Sequence, residues 1–534
     1  MMRFGTRIRP LAGILMVAAI AWLAFTLPGH PDAIGLDAFA RLPLELPLLM
    51  LLLLAVPSSW RKITALTCGL LLLIILFLKF ADIGTQAAFQ RPFNPYLDIK
   101  MLVDGWNLMS GTVGPLAAFA AIAAGIFSLV LLLALFLIAA RWLSNIPRPG
   151  RSWLVLTLVG ITLAGGTAAY LGVPRVEARL PSYLNNRLTL VVRSVQDMHV
   201  FETALAVGEG PRTGAGLFTA LEDKDFILIF VESYGRSAIE DPRYADITRP
   251  RLEKVEAEIT AAGLASASAW ATSPTVGGLS WLAHGTLLSG LWTDSQARYD
   301  RLMISRQPSL NRLFNDAGWK PIAAMPAITM AWPEAAYYGY RQVLAAADLE
   351  YRGKPFNWVT MPDQYTLSAF ERLGRAPARA AGEKVMAEIA LISSHAPWTP
   401  VATLVDWDDV GDGTIFNTQA ESGDPPSVVW ADPERVRRQY IQTIDYSLET
   451  LGSYMARFGE ETVFVILGDH QPAAIITGPD ASRAVPIHVV SSDRELIARF
   501  EREGFTPGMR PMEQTREWPM NAMRQVLIQL FSAD

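Results

Sequence analysis

Four short stretches hold residues whose types suit chemistry on a charged substrate. The apolar run 463–467 reads as a buried strand and leads into Asp469 and His470. A second run, 227–231, ends at Glu232, and a third, 389–392, is followed by His395. One acid at a strand end is usually a helix cap or a solvated group. A Glu and an Asp-His pair at the same end of one sheet suit a divalent metal or its substrate, because open α/β sheets collect ligands beyond the carboxyl ends of their strands. The fourth stretch, 271–290, sets Ser273, Pro274 and Thr275 ahead of a helical pattern through Leu279, Leu282, Thr286 and Leu287. Thr275 then falls near a helix N-terminus, where free N–H groups and the dipole favour a bound oxyanion. The plainer alternative is that Ser273 or Thr275 caps that helix.

These residues need a frame that brings strand ends together. Beyond residue 221 the chain alternates apolar strands with helices, among them 249–262 and the long amphipathic 435–458. That pattern implies an α/β domain over 222–534, with a mostly parallel sheet covered by helices on both faces. Residues 174–221 read as a connector, helical around 184–200 and rich in glycine at its exit, 208–216.

Before residue 174 the composition changes. A membrane span needs about 20 mostly apolar residues, and 10–27, 63–80, 115–140 and 153–173 meet or approach this. A shorter segment, 42–57, carries Glu45 near its start and completes a count of five spans in an α-helical transmembrane bundle over 1–173. Basic residues cluster at Arg3, Arg7 and Arg9, at Arg61 and Lys62, and at Arg141, Arg148 and Arg151. These are alternate loops, so all three clusters share one side, which the positive-inside rule makes cytoplasmic. The expectation is a multi-pass cell (inner) membrane protein with a cytoplasmic N-terminus and the 222–534 domain periplasmic or extracellular. No small-x-small cleavage site follows Leu27, which favours an uncleaved anchor over a signal peptide. The aromatic, amphipathic stretch 89–109 is expected along the membrane interface, with Phe93, Tyr96 and Trp106 at headgroup level.

Composition removes other classes. At 534 residues the chain exceeds one ordinary core. A net charge of −5 and the lack of a basic block exclude a nucleic-acid binder. The single Cys68 excludes an internal disulfide framework and a zinc site built on cysteines.

Taken in chain order, "FVESYGRS", "SPTVGG", "SSHAPW" and "LGDHQP" resemble the motifs of the alkaline phosphatase/sulfatase superfamily. The resemblance is to its membrane-anchored branch in particular, which includes lipoteichoic acid synthases, periplasmic phosphoglycerol transferases and phosphoethanolamine transferases. It spans nearly the whole chain and implies a sulfatase-like domain behind the spans. It further implies one divalent metal ion held by Glu232, Thr275, Asp469 and His470. Thr275 is then also the nucleophile, with Thr272 and Ser273 close enough to compete. His395 and Trp332 are implied at the substrate, where His395 stabilises charge or protonates the leaving group. A threonine hydroxyl is too weakly acidic to attack phosphorus unaided, and coordination lowers its pKa. Zn²⁺ suits a mixed imidazole and carboxylate set, and Mn²⁺ or Mg²⁺ an oxygen-rich one.

The implied activity is transfer of a phosphoglycerol- or phosphoethanolamine-like group from a phospholipid to a glycan or lipid acceptor through a phospho-threonine. The membrane anchor would raise the effective donor concentration. The alternatives are a phosphodiesterase or phosphatase-type hydrolase on the same site, and a non-catalytic membrane binding or scaffold protein. Two departures bear on substrate. The stretch 323–340 keeps Trp332 but offers Glu334 where the synthases carry Arg, and Met325 near their upstream His. The cysteines usual in the soluble domain of lipid A-type phosphoethanolamine transferases are also missing. A sulfatase proper is disfavoured, since Thr272 to Val276 lacks both the Cys or Ser and the Arg of the formylglycine signal. His284 reads as a packing or supporting residue, and His488, mid-strand, as a candidate for a second metal site.

Overall fold

The structure, a computed structural model, describes residues 2–100, 106, 114–208 and 210–532. The chain divides into two compact units, one of residues 1–87 with 91–197, the other of 88–90 with 198–534.

In the first unit four helices are long and apolar enough to cross a membrane: Met2–Thr26, Arg61–Phe89, Pro115–Ser144 and Arg148–Tyr170. The fifth expected span holds a shorter helix than the other four. Residues 42–57 contain an 11-residue helix, Glu45–Ala55, which at 1.5 Å per residue reaches only about 16 Å of a ~30 Å hydrocarbon core. Both its ends are fixed locally. Ahead of it β1 (Leu42–Pro43) pairs in parallel with β2 (Val176–Glu177). Behind it Val56 is extended, as a residue preceding proline prefers. Leu53, Leu54, Leu72, Leu76, Phe136 and Ala139 form the buried centre of the unit. Asp82, buried, accepts hydrogen bonds from the Tyr183 hydroxyl (3.0 Å) and the Phe93 N–H (3.0 Å), and from Arg187. The acid is therefore paired, as an ionisable group in a spanning helix must be. Of the expected interfacial aromatics Phe93 is buried, while Tyr96 and Trp106 are exposed; residues 101–105 and 107–109 of that stretch lie outside the described residues.

The second unit is built on a nine-stranded sheet. Its strands are β3 (Asp225–Val231), β4 (Ala265–Thr272), β5 (Trp319–Met325), β6 (Gln342–Ala345), β7 (Lys384–Leu391), β8 (Thr462–Gly468), β9 (Ala484–Ser491), β10 (Thr506–Pro507) and β11 (Glu517–Pro519). Their order is β10-β4-β9-β8-β3-β7-β5-β6, with β11 also on β4. The sheet is mixed, where a mostly parallel one was expected. Strands β8, β3, β7, β5 and β6 are parallel, but β9 is antiparallel to both of its neighbours and β10 is antiparallel to β4. The segment between β8 and β9 holds only a four-residue helix, Ala474–Thr477. Without a sheet-length crossover helix the chain turns back instead of running parallel.

Every residue of β3 and β8 is buried, which explains their unbroken apolar character. Each fully buried Ile, Leu, Val or Phe side chain contributes roughly 1.5–3 kcal/mol of transfer free energy. These two strands are the rigid centre on which the charged residues are mounted.

Candidate metal centre and active site

Register places the charged strand ends together. Val231 lies opposite both Leu391 of β7 and Gly468 of β8. Pairing continues one residue further, with Glu232 N–H donating to Leu391 O (3.0 Å) and Asp469 N–H to Val231 O (3.3 Å). Glu232, Asp469 and His470 therefore emerge as neighbours, with ligand atoms all within 4.8 Å of one another and all three residues buried. Such an approach demands a residue without a side chain at 468, since a Cβ there would lie 1.8 Å from Tyr234 O.

Hydrogen bonds aim each group. Asp469 Oδ1 accepts from the N–H groups of Ser233 (2.8 Å) and His470 (2.6 Å). Ser233 also donates its hydroxyl to Glu232 Oε1 (2.8 Å), and holds a left-handed backbone, φ 56°, to do so. His470 Nδ1 faces the Gln471 carbonyl at 2.8 Å. A carbonyl only accepts, so Nδ1 carries the hydrogen and Nε2 is left for the site. That Nε2 is 3.3 Å from Glu232 Oε1 and 3.7 Å from Asp469 Oδ2.

Two carboxylates and one imidazole in a buried site are out of charge balance. Burial and the adjoining Glu232 push the Asp469 carboxyl up to about 7. Burial opposes the charged form of His470, but Asp469 and Glu232 outweigh it and raise the imidazole to about 9. Burial also works against ionised Glu232, yet His470 and then His395 hold it below the ordinary carboxylate range. The site thus retains protons that a divalent cation would replace, and its mixed N/O donor set fits such an ion.

The hydroxyl at this cluster is that of Ser280. Its Oγ donates to Glu232 Oε2 at 3.0 Å and lies 3.2 Å from His470 Nε2. Thr275, the expected fourth ligand, instead turns its hydroxyl to the Gly278 carbonyl (2.8 Å). The two competing hydroxyls are also engaged elsewhere: Ser273 on the Asp469 carbonyl (2.6 Å) and Thr272 on Glu517 (2.6 Å). The cause is where the helix begins. Gly277, Gly278 and Leu279 all have positive φ (74°, 145° and 63°), so the helix starts at Ser280, not beside Thr275. A left-handed leucine costs of order 1 kcal/mol, a strain that fits a positioned functional residue. The sequence signal was the Gly-Gly pair, which permits such a turn and delays the helix start.

A cavity of about 290 Å³ opens beside this cluster and is lined by Glu232, Ser280 and Asp469 together with His395 and Trp332. The structure therefore brings both expected substrate residues to the same space as the charged cluster. His395 directs Nδ1 to the Ala396 carbonyl (2.6 Å) and stacks on Trp358 at 4.2 Å. His284, one helical turn beyond Ser280, also lines the cavity, with Nδ1 2.8 Å from Glu388 Oε1. His488 is elsewhere, buried in β9 between the Tyr234 hydroxyl (3.2 Å) and Ser268 Oγ (2.8 Å). Among the described residues the only group of three potential ligands remains Glu232, Asp469 and His470.

No protein-family model and no curated protein matches the chain. Among solved structures it is similar to the lipoteichoic acid synthase LtaP from Listeria monocytogenes, at 14% identity and TM-score 0.38, over 60% of this chain and 74% of that one. It is similar to a protein in the alkaline phosphatase superfamily from Vibrio parahaemolyticus, at 14% identity and TM-score 0.38, over 58% and 67%. A third is the C-terminal periplasmic domain of EcEptC from Escherichia coli in complex with Zn, at 15% identity and TM-score 0.38, over 57% and 80%.

Proposed function

We propose that the chain is a metal-dependent phosphotransferase in which Ser280 attacks the phosphorus of a phosphodiester. The observation that carries this reading is the Ser280 hydroxyl, held by Glu232 and His470 at the edge of the cavity. Glu232, Asp469 and His470 would hold the cation, with the Ser280 oxygen beside them. A divalent cation bound there supplies Lewis-acid stabilisation of negative charge on oxygen.

The chain's own groups account for the rest. Ser280 Oγ forms the bond to phosphorus as the bond to the leaving-group oxygen breaks, and the serine proton, held on Glu232 Oε2 in the metal-free site, is lost to solvent through the cavity. His395, on the cavity wall, delivers a proton to the departing oxygen when its ring is doubly protonated. A hydroxyl acceptor or water then attacks the phosphoserine, releasing Ser280. The proposed donor is a phospholipid and the acceptor a glycan or lipid. Four helices long and apolar enough to cross a membrane support that choice, since they tether the site to a lipid surface.

The proposed orientation keeps the N-terminus cytoplasmic and the second unit periplasmic or extracellular. The three basic clusters share one side only if the chain recrosses between residues 27 and 61. The helix Glu45–Ala55 lies in that interval, with Leu46, Leu53 and Leu54 buried against protein.

Mass spectrometry of the peptide 271–290 after incubation of the metal-loaded protein with bis(p-nitrophenyl) phosphate tests the mechanism. The expected result is a phosphoryl adduct on Ser280. An adduct on Thr272, Ser273 or Thr275 overturns the nucleophile, and absence of any turnover with Zn²⁺, Mn²⁺ or Mg²⁺ overturns the enzyme. Radiolabelled headgroup lipid separates transfer from hydrolysis, because label found only in free headgroup contradicts an acceptor other than water.

A further inference from the structure

The cavity beside Ser280 has a chemistry of its own, and its reading rests on the phosphotransfer proposal above. Its wall is largely apolar, with Tyr299, Trp332, Tyr338 and Trp358 lining it beside aliphatic residues such as Met325 and Ile328. Trp332 and Tyr338 sit with ring centroids 5.8 Å apart, the Tyr338 hydroxyl reaches the Tyr299 hydroxyl at 3.3 Å, and Trp358 is fixed by stacking on His395. Among the described residues no Lys or Arg lines this space. Away from the metal cluster its charged side chain is Glu388, which is 1% exposed.

Glu388 is already engaged. Its oxygens accept from His284 Nδ1 (2.8 Å), from Asn311 Nδ2 (3.3 Å) and from the Tyr340 hydroxyl. A carboxylate has about four acceptor positions, so little hydrogen-bonding capacity remains for a ligand.

We propose that this cavity binds a methylated ammonium, so that the phosphodiester held at Ser280 carries a choline-type alcohol. Aromatic faces attract a cation without hydrogen bonds, most strongly when it is desolvated. A trimethylammonium group has no N–H donors to satisfy. A primary ammonium brings three and a polyol brings several hydroxyls, and a wall of ring faces and aliphatic groups leaves most of these unpaired. An anionic group is disfavoured twice, by the ring faces and by Glu388.

The test uses the full chain in detergent, loaded with Zn²⁺, and a panel of p-nitrophenyl phosphodiesters. The second alcohol is choline, its uncharged isostere 3,3-dimethylbutanol, ethanolamine or glycerol, with bis(p-nitrophenyl) phosphate as reference. The expected kcat/KM for the choline ester exceeds each of the other three by about tenfold or more. Equal turnover of the dimethylbutyl ester shows an apolar pocket only and overturns the proposal, as does preference for the ethanolamine or glycerol ester.

Trp332 is half-buried and Trp358 exposed, so Trp332→Leu and Trp358→Leu are expected to fold and to lower the choline-to-isostere ratio about tenfold. An unchanged ratio in both variants overturns the cage. Titration of the metal-free protein with tetramethylammonium, followed by tryptophan fluorescence, reads the cavity without catalysis. Saturable quenching that Trp332→Leu and Trp358→Leu weaken is expected, and no saturation overturns the site. If bis(p-nitrophenyl) phosphate is not turned over while tetramethylammonium still saturates, the phosphotransfer reading fails and the ammonium site stands.

Discussion

Val231 and Gly468 face each other at the carboxyl ends of two parallel strands, and the next residue on each strand is a carboxylate of the charged cluster. The spacing of that cluster is therefore a property of backbone register. Gly468→Ala places a methyl group where Tyr234 O already lies, 1.8 Å away. The expected outcome is a loss of Zn²⁺ affinity of at least tenfold by calorimetry, with a Tm lowered by a destabilisation of roughly 1–3 kcal/mol for an overpacked core site.

Ser280→Ala and Thr275→Ala separate the two hydroxyls. Ser280→Ala should lower kcat on bis(p-nitrophenyl) phosphate by at least a hundredfold, because the attacking atom is gone. Thr275→Ala removes one hydrogen bond to the Gly278 carbonyl and should cost about 0.5–1.5 kcal/mol of stability, with a much smaller loss in rate. The reverse order in steady-state kinetics would restore Thr275 as the nucleophile.

Metal uptake should release protons. In the metal-free site His470 titrates at about 9 and Asp469 at about 7, and both must be deprotonated to act as ligands. Between those values one proton is displaced per ion, and below pH 7 two are. Apparent Zn²⁺ affinity should thus fall about tenfold per pH unit from 9 to 7 and about a hundredfold per unit below 7. Calorimetry in buffers of different ionisation enthalpy counts the protons directly.

Acid stability should depend on His488. Burial lowers this imidazole to about 3 from an ordinary 6.5, so the folded chain keeps it neutral while the unfolded chain protonates it. Its contribution is complete above pH 6.5 and is lost as pH falls from 6.5 toward 3, by about 1.4 kcal/mol per pH unit. His488→Gln should lower stability near neutrality, through lost bonds to Tyr234 and Ser268, yet flatten the acid limb of a urea-unfolding series.

Much of this arrangement was legible in the sequence, for identifiable reasons. The apolar runs before Glu232 and before Asp469 announce buried strands, and buried strands with charged tips imply a site. Strand direction was not legible: 484–491 reads as a strand either way, and only its pairing with β8 and β4 makes it antiparallel. β4 itself, Ala265–Thr272, is built largely of Ala and Ser, residues without the β-branched signature of a strand. Hydrophobicity at 42–57 reads as a span, but composition does not reveal how short its helix is, ending at Ala55. The sequence pointed to Thr275 and not to the proposed Ser280 because Leu279, a residue with no preference for positive φ, continues the left-handed turn begun by the two glycines.

That turn also bears on how the site is lost. Three successive residues outside the right-handed basin keep their shape only because their surroundings enforce it: Gly277 N–H bonds to the Gln471 carbonyl (2.7 Å) and Val276 bridges to Gln471. The peptide 271–290 cut from the chain would have no reason to present its serine. Catalytic competence should therefore melt with the sheet in a single cooperative step, so that activity and secondary structure disappear along the same denaturant curve.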